Sequence, residues 1–118
     1  MANHNITGKN GEVLALAYLT RNRFVILHTN WRHSHYEIDI IAHREDILHF
    51  IEVKTRRSLK FGYPEESVTK KKLENLMNGA EAFLCQNPQW KRIQYDILSV
   101  NLWKNRDPEY FFIEDVYL

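Results

Sequence analysis

Two acids and a lysine stand in unusual company between Tyr36 and Arg56. In YEIDIIAHREDILHFIEVKTR, Asp39 interrupts one apolar run and Glu52-Val53-Lys54 interrupts the next. Strands disfavour Asp and Glu, and burial disfavours an unpaired charge, so carboxylates in such runs need a positive partner. A divalent cation held through hard carboxylate oxygens would satisfy both. Lys54 follows Glu52 by two residues, about 6.5–7 Å along an extended chain. From there an ammonium can orient a water or neutralise charge developing on phosphorus. The chemistry indicated is metal-assisted attack of water at phosphorus.

These residues need two short strands joined by a polar turn. Alternation places Glu37, Asp39 and Ile41 on one face of the first strand, with Tyr36, Ile38, Ile40 and Ala42 on the other. On the second strand Leu48, Phe50, Glu52 and Lys54 share a face, opposite His49, Ile51 and Val53. A turn centred on Arg44-Glu45 or Glu45-Asp46 brings Asp39 and Glu52 to the same side of the hairpin, and a slip of one residue separates them. Glu37, on the face of Asp39, is expected to support the metal ligands from outside the coordination shell.

At 118 residues the chain is expected to form a single domain, residues 1–118, with a sizeable core. Hydrophobic residues at 44% and charged residues at 26% are ordinary globular values and exclude a disordered chain. A net charge of +1 provides no overall attraction to a polyanion, so nucleic-acid binding has to come from local charge. The single cysteine, Cys85, excludes an internal disulfide and suits a reducing compartment. No apolar run approaches the roughly 20 residues of a membrane span, and the N-terminus lacks the apolar core of a signal peptide. A cytoplasmic protein with no membrane partner is expected.

Met1 to Ile6 is polar and expected to fray. A helix is expected from about Gly8 to Arg21, where Glu12 can point toward the sheet or simply complement the helix dipole. Phe24 to Leu27 reads as a strand, followed by a loop carrying His28, His33 and His35, whose spacing does not suit a zinc site. Thr55 to Ser67 reads as a loop. Between Lys54 and Lys72 the positive charge is concentrated, and Arg56, Arg57, Lys60, Lys70 and Lys72 are candidates to track a phosphate backbone, or to keep a solvated loop soluble. Phe61 and Tyr63 are available to stack on bases or to pack under the loop. Ser67 or Thr69 caps a second helix ending near Gln86, with an apolar stripe from Leu73 to Leu84 and Gly79 allowing close approach to the sheet. A strand over Ile93–Trp103, a turn over Asn105–Pro108 and a strand over Tyr110–Leu118 complete an α/β fold of order α-β-β-β-α-β-β with a mixed sheet. Asp96 reads as a structural acid at a strand edge.

Asp39 followed by Glu52-Val53-Lys54 resembles the signature of the PD-(D/E)xK, or restriction-endonuclease-like, superfamily. The wider pattern is similar to the YraN-like family of predicted endonucleases. It comprises Gly11-Glu12, Asn30-Trp31-Arg32, Glu37 to Ala42, Phe50 to Arg56, Gly62 to Val68 and Tyr95-Asp96. The resemblance implies a restriction-endonuclease-like core and a Mg2+-dependent endodeoxyribonuclease in which Mn2+ can substitute. Asp39, Glu52, the Val53 carbonyl and Glu12 would hold the metal, Lys54 would act on the attacking water or the transition state, and Lys72 would match a basic helix position. DNA is the expected partner, with RNA not excluded. A more distant similarity to archaeal-type Holliday junction resolvases implies branched DNA and a homodimer, since paired symmetric cuts need two sites.

Two other readings stand beside this one. A non-catalytic nucleic-acid-binding accessory protein could retain the nuclease fold. Alternatively, Lys54 could pair with Glu37 or Glu52 in a surface ladder, each pair worth under about 1 kcal/mol.

Overall fold

In a computed structural model, which describes residues 3–57 and 69–117, with side chains from residue 10 onward, the elements follow the expected order. They are α1 (Asn3–Arg21), β1 (Val25–His33), β2 (Tyr36–Arg44), β3 (Ile47–Arg56), α2 (Lys70–Gln86), β4 (Arg92–Trp103) and β5 (Arg106–Ile113). The strands form one mixed sheet in the order β1-β2-β3-β4-β5. All neighbours are antiparallel except β3 and β4, which run parallel. That parallel pair requires a crossover, which α2 provides.

The helices cover opposite faces of the sheet. On one face Ala15 and Leu19 of α1 pack with Ile40, Ala42, Ile51, Leu98 and Val100. On the other, Leu73, Leu76, Ala80 and Phe83 of α2 pack with Ile38, Ile41, Leu48 and Phe50. The stripe read from the sequence of α2 is thus a core face, as its 3.6-residue recurrence requires. Thr69 caps this helix, its hydroxyl accepting from Lys72 N at 3.2 Å. Among the described residues no helix is long and apolar enough to cross a membrane.

The β2–β3 hairpin turns on Glu45 and Asp46, both at positive φ (52° and 65°), the geometry of a mirror-image two-residue turn. Arg44 therefore pairs with Ile47 and the register runs back to Ile40 opposite Ile51. Continued by one step, that register sets Asp39 against Glu52. Neither turn residue is a glycine or asparagine, so the turn is held at a local cost. Glu45→Asn with Asp46→Gly is expected to stabilise the protein by about 1 kcal/mol. Thermal unfolding at neutral pH should show a melting temperature several degrees higher, and an unchanged or lower value would contradict this account of the turn.

Several sequence expectations are corrected. α1 begins at Asn3 rather than Gly8, and β1 continues to His33, so His28 and His33 lie on a strand instead of a loop. Local propensity ends that strand early, but pairing with β2 and packing of Trp31 on Phe83 carry it on. Thr55 and Arg56 still belong to β3, paired with Val100 and Asn101. β5 starts at Arg106 and ends at Ile113, so Arg106 to Pro108 are strand rather than turn. Proline is tolerated there because β5 is an edge. Ile38 does not share the face of Ile40: it lies under α2 with Ile41. The alternation of β2 slips at Asp39, where Ile38 is drawn to α2. The close approach rests on Gly79, at which a Cβ would lie 3.3 Å from Ile38 Cγ1 and Tyr36 Cβ.

Candidate metal-dependent active site

The slip at Asp39 creates the site. Backbone pairing between β2 and β3 stops at Ile40 opposite Ile51. One step further Val53 N donates to the Asp39 carboxylate, Oδ2, at 2.8 Å, taking the place of a ladder bond. Because the N–H and C=O of one strand residue point to the same side, the Val53 carbonyl also faces this gap. Glu52 and Lys54 project from β3 on the α2 face, as their alternation with Phe50 requires. Lys54 Nζ lies 3.6 Å from Glu52 Oε2, and both side chains are about four-fifths buried.

A cleft of about 240 Å³ opens beside them, lined by His35, Tyr36, Glu37, Asp39, Glu52, Lys72, Asn75 and Leu76. Asp39 is pushed up from 3.8 to about 7, first by burial and then by the Glu52 charge, with the Val53 hydrogen bond only partly offsetting them. Lys54 is pulled below its usual value by burial and by a hydrogen bond with Lys72, while Glu52 and Asp39 act the other way. Two carboxylates therefore face one another with too little positive charge between them. Carboxylate oxygens and a backbone carbonyl around such a deficit suit a hard divalent cation, whose oxygen preference matches every donor in the set.

Not every expected residue enters the cleft. Glu37 lines it and also lies 3.4 Å from Arg32. Glu12 is half-buried on α1, where Gly11 packs against Thr55, and its Oε1 accepts from Asn30 Nδ2 at 2.6 Å. Asn30 falls between Thr29 and Trp31, the partners of Ile40 and Ile38, so Glu12 is tethered beside the strand position across from Asp39 without lining the cleft. Lys70 and Lys72 occupy the first turn of α2, and Lys72 reaches Lys54. Arg56 closes β3 and Arg57 follows it. Lys60, with Phe61 and Tyr63, lies outside the described residues.

The structure adds residues that the motif did not single out. His35 and Tyr36 form one lip of the cleft, with ring centroids 4.1 Å apart, and Asn75 lies on the α2 side. On the opposite sheet face Asp96 is fully buried, on an interior strand rather than at an edge as expected. It pairs with His49 Nδ1 at 2.5 Å and accepts from Gln94 Nε2 at 3.0 Å and Asp115 N at 2.9 Å. Glu114 stands close enough to His49 and Asp96 to suggest a metal triad. Yet it is bonded to Arg44 and Gln94, and His49 and Asp96 are bonded to each other, so the group is a hydrogen-bonded strut.

The sequence matches the uncharacterised protein family UPF0102 over residues 11–100. It is similar to a UPF0102 protein of Bacteroides thetaiotaomicron, 40% identical over 100 residues that cover 85% of this chain and 83% of that one. It is also similar to one of Dictyoglomus thermophilum, 40% identical and covering 87% and 88% of the two chains. A UPF0102 protein of Rhodococcus opacus is 35% identical over 99% of this chain and its own full length. The matched span contains the whole cleft.

Proposed function

The chain belongs to the uncharacterised protein family UPF0102, so its activity must be read from its cleft, and we propose that it is a metal-dependent endonuclease hydrolysing phosphodiester bonds in DNA. The observation that carries this reading is the split ladder. A strand pair forgoes a backbone bond so that Asp39 faces Glu52, with Lys54 on the same face. A surface ion ladder gives no reason to bury two acids together at the cost seen in the raised Asp39 pKa.

Asp39, Glu52 and the Val53 carbonyl would hold Mg2+ or Mn2+, with Glu37 outside the coordination shell and Glu12 further away, bonded to Asn30. Bound there, the metal would supply Lewis-acid polarisation of the phosphate and a more acidic water. Val53 N fixes the orientation of the Asp39 carboxylate. Lys54, its pKa lowered by burial and by Lys72, is suited to hold the attacking water or to meet charge developing on the phosphate. Lys72, at the start of α2, would meet a phosphate oxygen from the other side of the cleft.

Purified protein should cut labelled duplex, single-stranded or four-way-junction DNA in Mg2+ or Mn2+. Asp39→Ala and Lys54→Ala should each lower the rate about a hundredfold or more. Calorimetry should show metal binding lost in Asp39→Ala and retained in Lys54→Ala. Wild-type protein that binds DNA but cuts none of the three would replace this reading with a non-catalytic binding role.

A further inference from the structure

The sheet carries a second polar group beyond the metal-binding acids. In the parallel β3–β4 register Glu52 lies beside Ile97, Lys54 beside Ser99 and Arg56 beside Asn101. Alternation places Lys54, Arg56, Ser99 and Asn101 on the α2 face. This is the carboxyl end of the two parallel strands, the position where open α/β sheets receive ligands. Ser99 and Asn101 are fully buried.

Their hydrogen bonding is incomplete in one direction only. Asn101 Nδ2 and Arg56 Nη1 are the buried side-chain polar atoms without a partner among the described residues. Both are donors, and they belong to adjacent residues on neighbouring strands. Ser99 Oγ lies 3.4 Å from Asn101 Oδ1, which turns the amide nitrogen away from Ser99. The nearest acid by register, Glu109 on β5, gives its carboxylate to Trp103 Nε1 at 2.9 Å. Leaving a buried donor unpaired costs about 1–3 kcal/mol, so two side by side call for an acceptor. With Lys54 one alternation away, that acceptor is an anion with several oxygens.

We propose that Arg56 and Asn101 form a phosphate-binding subsite. It receives a backbone phosphate of the substrate strand next to the scissile one, and so sets the strand's register over Asp39 and Glu52. Arg56 stands four residues beyond Glu52, about 13 Å along the strand. The subsite is therefore distinct from the metal ligands. It rests on the nuclease reading for its substrate and on the unpaired donors for its existence.

The test uses the whole protein without metal, at matched ionic strength. Inorganic phosphate should raise the melting temperature of the wild type saturably. Asn101→Asp places an acceptor beside Arg56, so this variant should be more stable than wild type without phosphate and show no phosphate response. Asn101→Leu, which removes the donor, should also lose the response and guards against misfolding of the first variant. Both should bind a labelled oligonucleotide about tenfold more weakly in the absence of metal. An equal phosphate response in wild type and Asn101→Asp would overturn the proposal, because the anion then binds elsewhere. So would no response in the wild type, which would mean that the Asn101 amide is turned to accept from Arg56 itself. DNA cleavage without a phosphate response would sink the subsite alone. A phosphate response confined to wild type, without cleavage, would leave the subsite standing and remove the nuclease reading.

Discussion

Asp39→Asn should make the metal-free protein more stable at pH 8 while abolishing cleavage. The folded-state value of about 7 lies above the ordinary 3.8, so between those values the folded chain holds a proton that the unfolded chain has released. Stability is greatest below the lower value, falls as pH rises through the interval, and reaches its full deficit above about 7. At about 1.4 kcal/mol per pH unit the interval sets a ceiling near 4 kcal/mol. Water reaching the open cleft screens the charge, and about 2 kcal/mol is the expected gain. Asparagine keeps an oxygen for Val53 N and removes the charge that burial and Glu52 oppose.

The gain should shrink as pH falls toward 3.8 and vanish below it, where Asp39 is protonated in both states. Mg2+ or Mn2+ should raise the melting temperature of the wild type and move Asp39→Asn much less, since the variant keeps the Glu52 charge but lacks the Asp39 charge that the metal neutralises. Denaturant titrations at pH 5 and pH 8, with and without metal, measure all four quantities. A variant that is less stable at pH 8, or a metal response equal in both proteins, would remove the stored charge conflict from the account. The acid that weakens the fold is the one proposed to hold the metal, a trade-off common at functional sites.

Asp96→Ala should cost about 3–5 kcal/mol of stability and leave the chemistry of each folded molecule intact. Asp96 is fully buried and His49 nearly so. The variant would strand the His49 ring nitrogen, the Gln94 amide and the Asp115 N–H together. It would also remove the Asp115 tie between the C-terminal segment and β4, leaving Val116 N donating to Tyr95 O at 2.7 Å. Asp96→Asn, which keeps an acceptor for the Asp115 N–H, should cost clearly less. Because this strut lies on the α1 face and the cleft on the α2 face, cleavage per folded molecule at low temperature should be unchanged. A large rate loss in folded Asp96→Ala would instead tie the strut to the active site.

Much of the site was legible because hairpin register is a local property. Glu45 and Asp46 form the turn, and two-residue alternation then brings Asp39 and Glu52 face to face with no information from elsewhere in the chain. The Thr69 cap and the apolar stripe of α2 were legible for the same reason. The slip at Asp39 was not, since it depends on α2 drawing Ile38 to its own face, across a contact that Gly79 allows. β1 ran past its local signal because β2 and Phe83 stabilise residues with weak strand propensity.

By itself the sequence determined which side chains are candidates for chemistry, and which strands and helices hold them, because residue type and short-range periodicity act over a few positions. Tertiary structure decided what meets across distance. Glu12 joined Asn30, His49 joined Asp96, and Arg56 came to lie beside Asn101. The last two contacts depend on the parallel β3–β4 register, which a crossover through α2 sets and no neighbouring residue encodes.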